Sequence, residues 1–184
     1  MASRRRGREI ALQILCILDR QPDLDADEGL FLYFRHLSGV DLEGAEDAIG
    51  APSGKRAPTI NDRESASEQR EFVEQLVHGV RDRLSEIDQL VTLCSRNWRL
   101  ERMSWVDRNL LRLACHELTS CRDTPARVIL NEAIEIARRY STAESPGFIN
   151  GVLDRAMRES GRRDLASSSP MGGHGAPPTE QATP

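Results

Sequence analysis

The sequence predicts an all-helical protein, and three observations predict it. Apolar residues recur at i, i+3 and i+4 along most of the chain, and no segment alternates convincingly at the period of two that a half-buried strand requires. Outside one Gly- and Pro-rich stretch and the C-terminal tail, prolines stand only at positions 22, 125 and 146, each at the edge of a periodic segment. Aromatic residues are 4% of the chain against 39% hydrophobic overall, so aliphatic side chains must fill the core. A length of 184 residues suits one domain, or two small subdomains sharing that core.

The elements follow in order. Ile10, Ala11, Ile14, Leu15, Ile17 and Leu18 give a helix over 9–18 that Pro22 ends. Leu30 to Leu37 reads as a short helix after Asp27. Residues 43–66 lose all periodicity and hold Gly44, Gly50, Pro52, Ser53, Gly54 and Pro58, which reads as a flexible insertion. Ser65 and Glu68 have capping-box spacing, and the stripe Phe72, Val73, Leu76, Val77 and Val80 follows. Leu84, Ile87, Val91, Cys94 and Trp98 continue it almost in phase, but Ser85 with Asp88 repeats the capping spacing and puts a break near Ser85. Ser104 with Asp107 opens a strongly amphipathic helix through Val106, Leu110, Leu113, Ala114 and Leu118. Thr124-Pro125 starts the next, with Pro where its missing N–H is harmless, ahead of an inner face of Ile129, Ala133, Ile136, Ala137 and Tyr140. Ser145-Pro146 repeats that signal before Phe148, Ile149, Val152, Leu153, Ala156 and Met157. From Ser160 the chain turns Gly-, Ser- and Pro-rich, so a domain is expected over 1–160 and a disordered tail over 161–184.

Composition excludes several classes. No apolar run nears the ~20 residues that span a bilayer. The basic start followed by apolar residues invites a signal-peptide reading, but Arg8, Glu9 and Gln13 interrupt the run and no small-residue cleavage site follows, so the cytoplasm is expected. Cys16, Cys94, Cys115 and Cys121 lie in apolar helical segments and read as free thiols in a core. Cys115, His116 and Cys121 lack the paired spacing of a zinc site, so no metal is expected. Gly50 to Arg56 is too short for a phosphate-binding loop, lacks the Ser or Thr after Lys55 and follows no strand. No histidine has a nucleophile or carboxylate partner recognisable from sequence, and no catalysis and no cofactor are expected.

Net charge is −4, which does not suggest binding to nucleic acid by bulk field alone, so the placement of charge matters more than its total. Arg4, Arg5, Arg6 and Arg8 stand at or before the start of the first helix, where positive charge opposes the helix dipole at a cost of roughly 0.3–1 kcal/mol each. RNA phosphate is one use for such a cluster; a solvated basic arm is the other, and charge alone does not choose between them. Gly151, inside a strong helical pattern, reads as a close approach of a neighbouring helix. Asn131, Glu132 and Asn150, on polar helix flanks, read as interhelical hydrogen-bonding residues.

Taken together, RRRGREIALQIL, ERMSWVDRNLLRLACHEL and PARVILNEAIEIARRYSTAESPGFINGVLD resemble the NusB family in the family's own order, over roughly residues 3–158 apart from the insertion. The most specific part is Asn131-Glu132-Ala133 followed by Phe148 to Leu153. The resemblance implies about seven helices in two small bundles. It implies a role in transcription antitermination and ribosomal RNA synthesis. The implied partners are boxA-type single-stranded RNA and NusE, which is also a small-subunit ribosomal protein, with other Nus factors and RNA polymerase in the antitermination complex. Arg4, Arg5, Arg6 and Arg8 match the family's arginine-rich RNA-binding motif, and the turn from Ser141 to Phe148, with Glu144 and Phe148, matches a second region near the RNA. Asp107 matches an acidic position implicated in NusE binding, and Cys16 stands where some members carry an interface tyrosine. Glu144 is one methylene longer than the aspartate common there.

Asp107 has two readings that can both hold: a capping carboxylate with Ser104, and an accessible partner contact. Two rival functions remain. One is a helical protein-interaction module with no RNA role, against which the arginine cluster argues. The other is the NusB-like accessory domain of an RNA-modifying enzyme, against which the absence of a Gly-rich methyl-donor loop argues.

Overall fold

The computed structural model describes residues 2–37, 60–96 and 98–162. Among these residues the chain forms seven α-helices: α1 (Ala2–Arg20), α2 (Ala26–Leu32), α3 (Ile60–Asp82), α4 (Leu84–Cys94), α5 (Trp105–Ser120), α6 (Ala126–Tyr140) and α7 (Ser145–Glu159). A π-helical turn, Tyr33–Leu37, continues α2, and a 3-10 turn, Leu100–Arg102, precedes α5. Most of the expected insertion, the Gly50 to Arg56 segment and the tail from residue 163 lie outside the described residues.

α5 organises the fold. It packs against α1 and α3 on one side and α4, α6 and α7 on the other, while α2 rests on α1 and α3. Two small bundles therefore share one helix. Every residue from Asn109 to Leu118 is buried, so α5 is enclosed all round rather than amphipathic as its pattern suggested. Its polar residues are tolerated inside because other helices supply their partners. Arg112 donates to both oxygens of Asp88 at 2.7 and 2.8 Å and to Asp19 at 2.7 Å, tying α5 to α4 and α1. Asp19 also accepts from Arg108 and from Asn109. Burial alone would raise the Asp19 carboxyl, but the bonds from Arg108 and Arg112 outweigh it and hold the group below its ordinary value. Arg8 of α1 makes a bidentate pair with Glu117 at 2.8 and 2.7 Å, with both side chains almost fully buried.

Several boundaries differ from the sequence reading. α1 starts at Ala2, so the arginines occupy its first two turns. Asp25 caps α2 through a full capping box with Glu28, a signal upstream of the apolar patch that marked the element. α3 starts at Ile60, so the last part of the expected insertion is helix and Ser65 is interior, not a cap. The α3–α4 break falls at Arg83, which caps nothing with its side chain; Ser85 lies within α4. Arg83 instead donates to Glu86 at 2.8 Å and reaches Ser120 at 2.6 Å, pinning the break to the end of α5.

Gly151 is not a helix contact. A Cβ there would meet nothing within 4 Å. Close approaches occur instead at Gly7, where a Cβ would stand 2.7 Å from the Phe72 ring, at Gly79, where it would stand 2.2 Å from the His116 ring, and at Gly29, where it would stand 2.7 Å from the Leu18 side chain. Gly7 and Gly79 let α1 and α5 settle onto α3, and Gly29 lets α2 settle onto α1. Tyr140, expected inside, is 36% exposed. Arg162 belongs to the folded unit rather than to a tail. It is buried, and its guanidinium donates to the carbonyls of Glu117, Leu118, Cys121, Arg122 and Thr124, closing the C-terminal end of α5.

Candidate nucleic-acid interface

The arginine cluster divides once folded. Arg4, Arg5 and Arg6 are exposed; Arg8 is buried and its guanidinium is committed to Glu117. Arg8 therefore fastens α1 to α5 instead of facing solvent, because both oxygens of the buried Glu117 carboxylate take its donors. Arg4 lies over the Phe72 ring, 5.0 Å from its centre. Arg5 forms a bidentate pair with Glu132 of α6, both bonds 2.8 Å, which keeps the guanidinium more firmly charged and lowers the Glu132 carboxyl. The expected role of Glu132 as an interhelical partner thus has a named counterpart. No acidic residue occupies the first turn of α1 to offset the dipole.

The tertiary structure adds a cation the sequence reading missed. Buried Glu9 accepts from Arg6 at 3.2 Å and from Arg139 of α6 at 3.2 Å. Arg139 is 68% exposed and lies over the Tyr140 ring, 5.2 Å from its centre. The N-terminus of α1 and the C-terminus of α6 so present Arg5, Arg6 and Arg139 on one connected surface, while Arg4 stands on the α3 side of the same helix end. The only sequence signal for Arg139 was its place in the last helical turn, where a cation suits the dipole in any helix.

That surface runs directly into the α6–α7 turn. Ser141 donates to Asp107 at 2.7 Å and Ser145 to its other oxygen at 3.0 Å; Ser145 also pairs with Thr142 at 3.0 Å. Asp107 is consequently buried. Its N–H donates to Ser104 Oγ at 3.0 Å, but the carboxylate does not return to Ser104, so only half of the capping box forms. The accessible carboxylate expected from sequence is turned inward, because two hydroxyls of the turn claim both oxygens. Glu144 is exposed at the cap position of α7 and makes no side-chain cap bond there. Phe148, one turn into α7, is half-buried against Trp98, with ring centres 5.6 Å apart.

Cys16 lies elsewhere, at the α1–α5 contact. Its thiol donates to the Trp105 carbonyl at 3.6 Å and burial pushes it up to about 11, so it is a protonated packing group. Trp105 beside it is 48% exposed with Arg20 stacked 4.1 Å from the ring centre. Cys115 is fully buried in the core. Among the described residues no three His, Cys, Asp or Glu side chains gather as a metal site, and no helix is long and apolar enough to cross a membrane.

Comparison with known proteins sets this geometry in context. The sequence profile of the NusB family matches residues 31–158. The transcription antitermination protein NusB of Syntrophotalea carbinolica is 39% identical over 155 residues, covering 84% of this chain and 92% of the relative. That of Solibacter usitatus is 42% identical over 161 residues, covering 86% and 91%. Among solved structures, T. maritima NusB superposes with a TM-score of 0.63 at 32% identity over 85% of this chain and 91% of the other. A crystal structure of the antitermination factors NusB and NusE in complex with dsRNA shares the fold, with a TM-score of 0.64 at 18% identity over 86% and 98%.

Proposed function

The chain belongs to the NusB family, and from that premise we propose that it is a transcription antitermination factor that binds boxA-type RNA together with NusE in support of ribosomal RNA synthesis, acting without catalysis. The observation that carries this is the exposed group Arg5, Arg6 and Arg139, gathered around Glu132 and Glu9 in a chain whose net charge is −4, with exposed Arg4 at the same end of α1. Arg4, Arg5 and Arg6 offer phosphate contacts at the end of α1 where helix energetics disfavours cations, and Arg139 adds one from the C-terminal end of α6. Arg5 exchanges its exposed pair with Glu132 for phosphate at small cost, since exposed ion pairs contribute little.

The turn from Ser141 to Phe148 continues the path, with Glu144 and Phe148 facing the strand. Cys16 belongs to the NusE-facing edge. Asp107 acts on partner binding by positioning the turn from within, not by direct contact. In this reading the protein takes its place with other Nus factors and RNA polymerase in the cytoplasm.

The test is fluorescence anisotropy of a boxA-type oligoribonucleotide across salt, with and without NusE. Affinity alone should be modest and NusE should raise it; reciprocity then requires RNA to tighten the NusE contact by the same factor. Arg4→Ala with Arg6→Ala should flatten the log–log salt slope by about 1.4, two phosphate contacts at ~0.7 each. An unchanged slope and affinity with NusE present would remove the arginine row from the interface and leave a protein-interaction module.

A further inference from the structure

After α4 the chain turns sharply, with Trp98 N donating to Ser95 O at 2.9 Å and Ser95 Oγ donating to Trp98 O at 2.9 Å. This turn sets Trp98 beside Phe148 of α7, their rings tilted by 54°. Trp98 is 56% exposed. On α7, Gly147 and Gly151 stand one turn apart, and a Cβ on either would meet nothing within 4 Å. Between the aromatic pair and this bare helix face lies an open cleft of about 270 Å³. Among the described residues the charged side chains lining it are Arg96 and Arg155, the latter donating to the Cys94 carbonyl at 2.7 Å.

Packing among the described residues does not account for this arrangement. Gly151 costs the helix interior about 1 kcal/mol relative to alanine, and neither glycine is needed to admit a described neighbour. A half-exposed tryptophan is ordinary by itself. An aromatic pair over a bare, uncapped helix face, with cations as the only charges among the described lining residues, is a combination with a recognisable occupant. A helix of about 10 Å diameter does not enter so small a cleft. A flat ring does, and every nucleobase offers a π-face to tryptophan or phenylalanine, while arginine meets the phosphate attached to it.

We propose that this cleft receives one unpaired base of the bound RNA, stacked against Trp98 and Phe148, with Arg96 meeting its phosphate. The proposal rests on the RNA-binding reading above and extends its path. Phe148 closes the α6–α7 turn and also forms a wall of the cleft, so a strand leaving the arginine row along the turn arrives there. The missing side chains at Gly147 and Gly151 let the nucleotide lie against the α7 backbone.

The experiment uses the full chain carrying Trp105→Phe, which leaves Trp98 as the sole tryptophan of the original two. A boxA-type oligoribonucleotide should quench Trp98 emission with the same midpoint as anisotropy. In that background Trp98→Ala should weaken binding about ten-fold, the loss of one base–aromatic stack, and Trp98→Phe should restore most of it. Gly151→Leu should fill the cleft and weaken binding similarly. Because nothing crowds Gly151, thermal melting of that variant should match or exceed the parent, which separates a blocked site from a damaged fold. Neither variant should change the salt slope, whereas the Arg4 and Arg6 substitutions should. Normal affinity in both Trp98→Ala and Gly151→Leu, while the parent binds RNA, would overturn the cleft and leave the arginine row standing. Weakened NusE binding with unchanged RNA affinity would also overturn it, and would make the occupant a protein. Absence of any RNA binding by the parent would overturn the RNA reading itself.

Discussion

Replacing Arg8 with methionine separates architecture from RNA contact in the arginine-rich start. The Arg8 and Glu117 side chains are 5% and 2% exposed and joined by two bonds of 2.8 and 2.7 Å. Removing one member of a buried pair leaves the other charge without compensation, at about 3–5 kcal/mol. For a domain of this size each kcal/mol moves the melting temperature by about 2–4 °C, so Arg8→Met should melt roughly 10 °C lower. Adding Glu117→Met removes the stranded charge. The double variant should recover to within ~2 kcal/mol of the parent, because replacing a buried pair with apolar side chains is often neutral or stabilising. Methionine also keeps an attractive contact with the Phe72 ring, over which Arg8 now lies at 5.6 Å. Differential scanning calorimetry gives the stabilities, and anisotropy with boxA-type RNA gives the binding. The double variant should bind RNA like the parent. If it melts normally yet loses affinity or salt slope, Arg8 reaches phosphate and its assignment to the core is refuted. If Arg8→Met alone melts like the parent, the pair does not fasten α1 to α5.

Three further outcomes follow from individual contacts. His116 is buried with Nδ1 unpartnered, and burial, then Arg83, lowers its pKa below the ordinary 6.5. The folded state thus favours neutral imidazole, so its contribution is complete above about pH 6.5 and is lost progressively as pH falls through the folded value; urea midpoints of His116→Gln should decline less on acidification than those of the parent. Gly79→Ala should destabilise by about 1–3 kcal/mol, since its Cβ would stand 2.2 Å from the His116 ring, whereas Gly151→Ala should stabilise by about 0.5–1 kcal/mol; equal effects in chemical denaturation would refute the distinction. Arg162→Ala should cost about 2 kcal/mol by releasing the carbonyls at the end of α5, and a variant melting like the parent would return Arg162 to the tail.

What the sequence determined by itself is local in origin. Apolar spacing within four residues, Pro146 in the first turn of α7 and the hydroxyl of Ser104 each act inside one helix, so the helical class and the approximate places of α4 to α7 were legible. The family motifs were legible for the same reason, being short runs with their own periodicity. Charge fates were decided by tertiary structure. Arg5 and Arg8 look alike in RRRGR, yet one meets Glu132 at the surface and the other Glu117 in the core, across separations of 127 and 109 residues. Asp107 looks like a cap, but the turn brings Ser141 and Ser145 to its carboxylate. Gly7, Gly79 and Gly151 are the same residue in sequence; only the packed helices show that the first two admit a neighbour and the third stands beside empty space. A helix encodes its own periodicity, but not which helix will lie against it, and that neighbour decides whether a charge is buried, paired or free to meet a ligand.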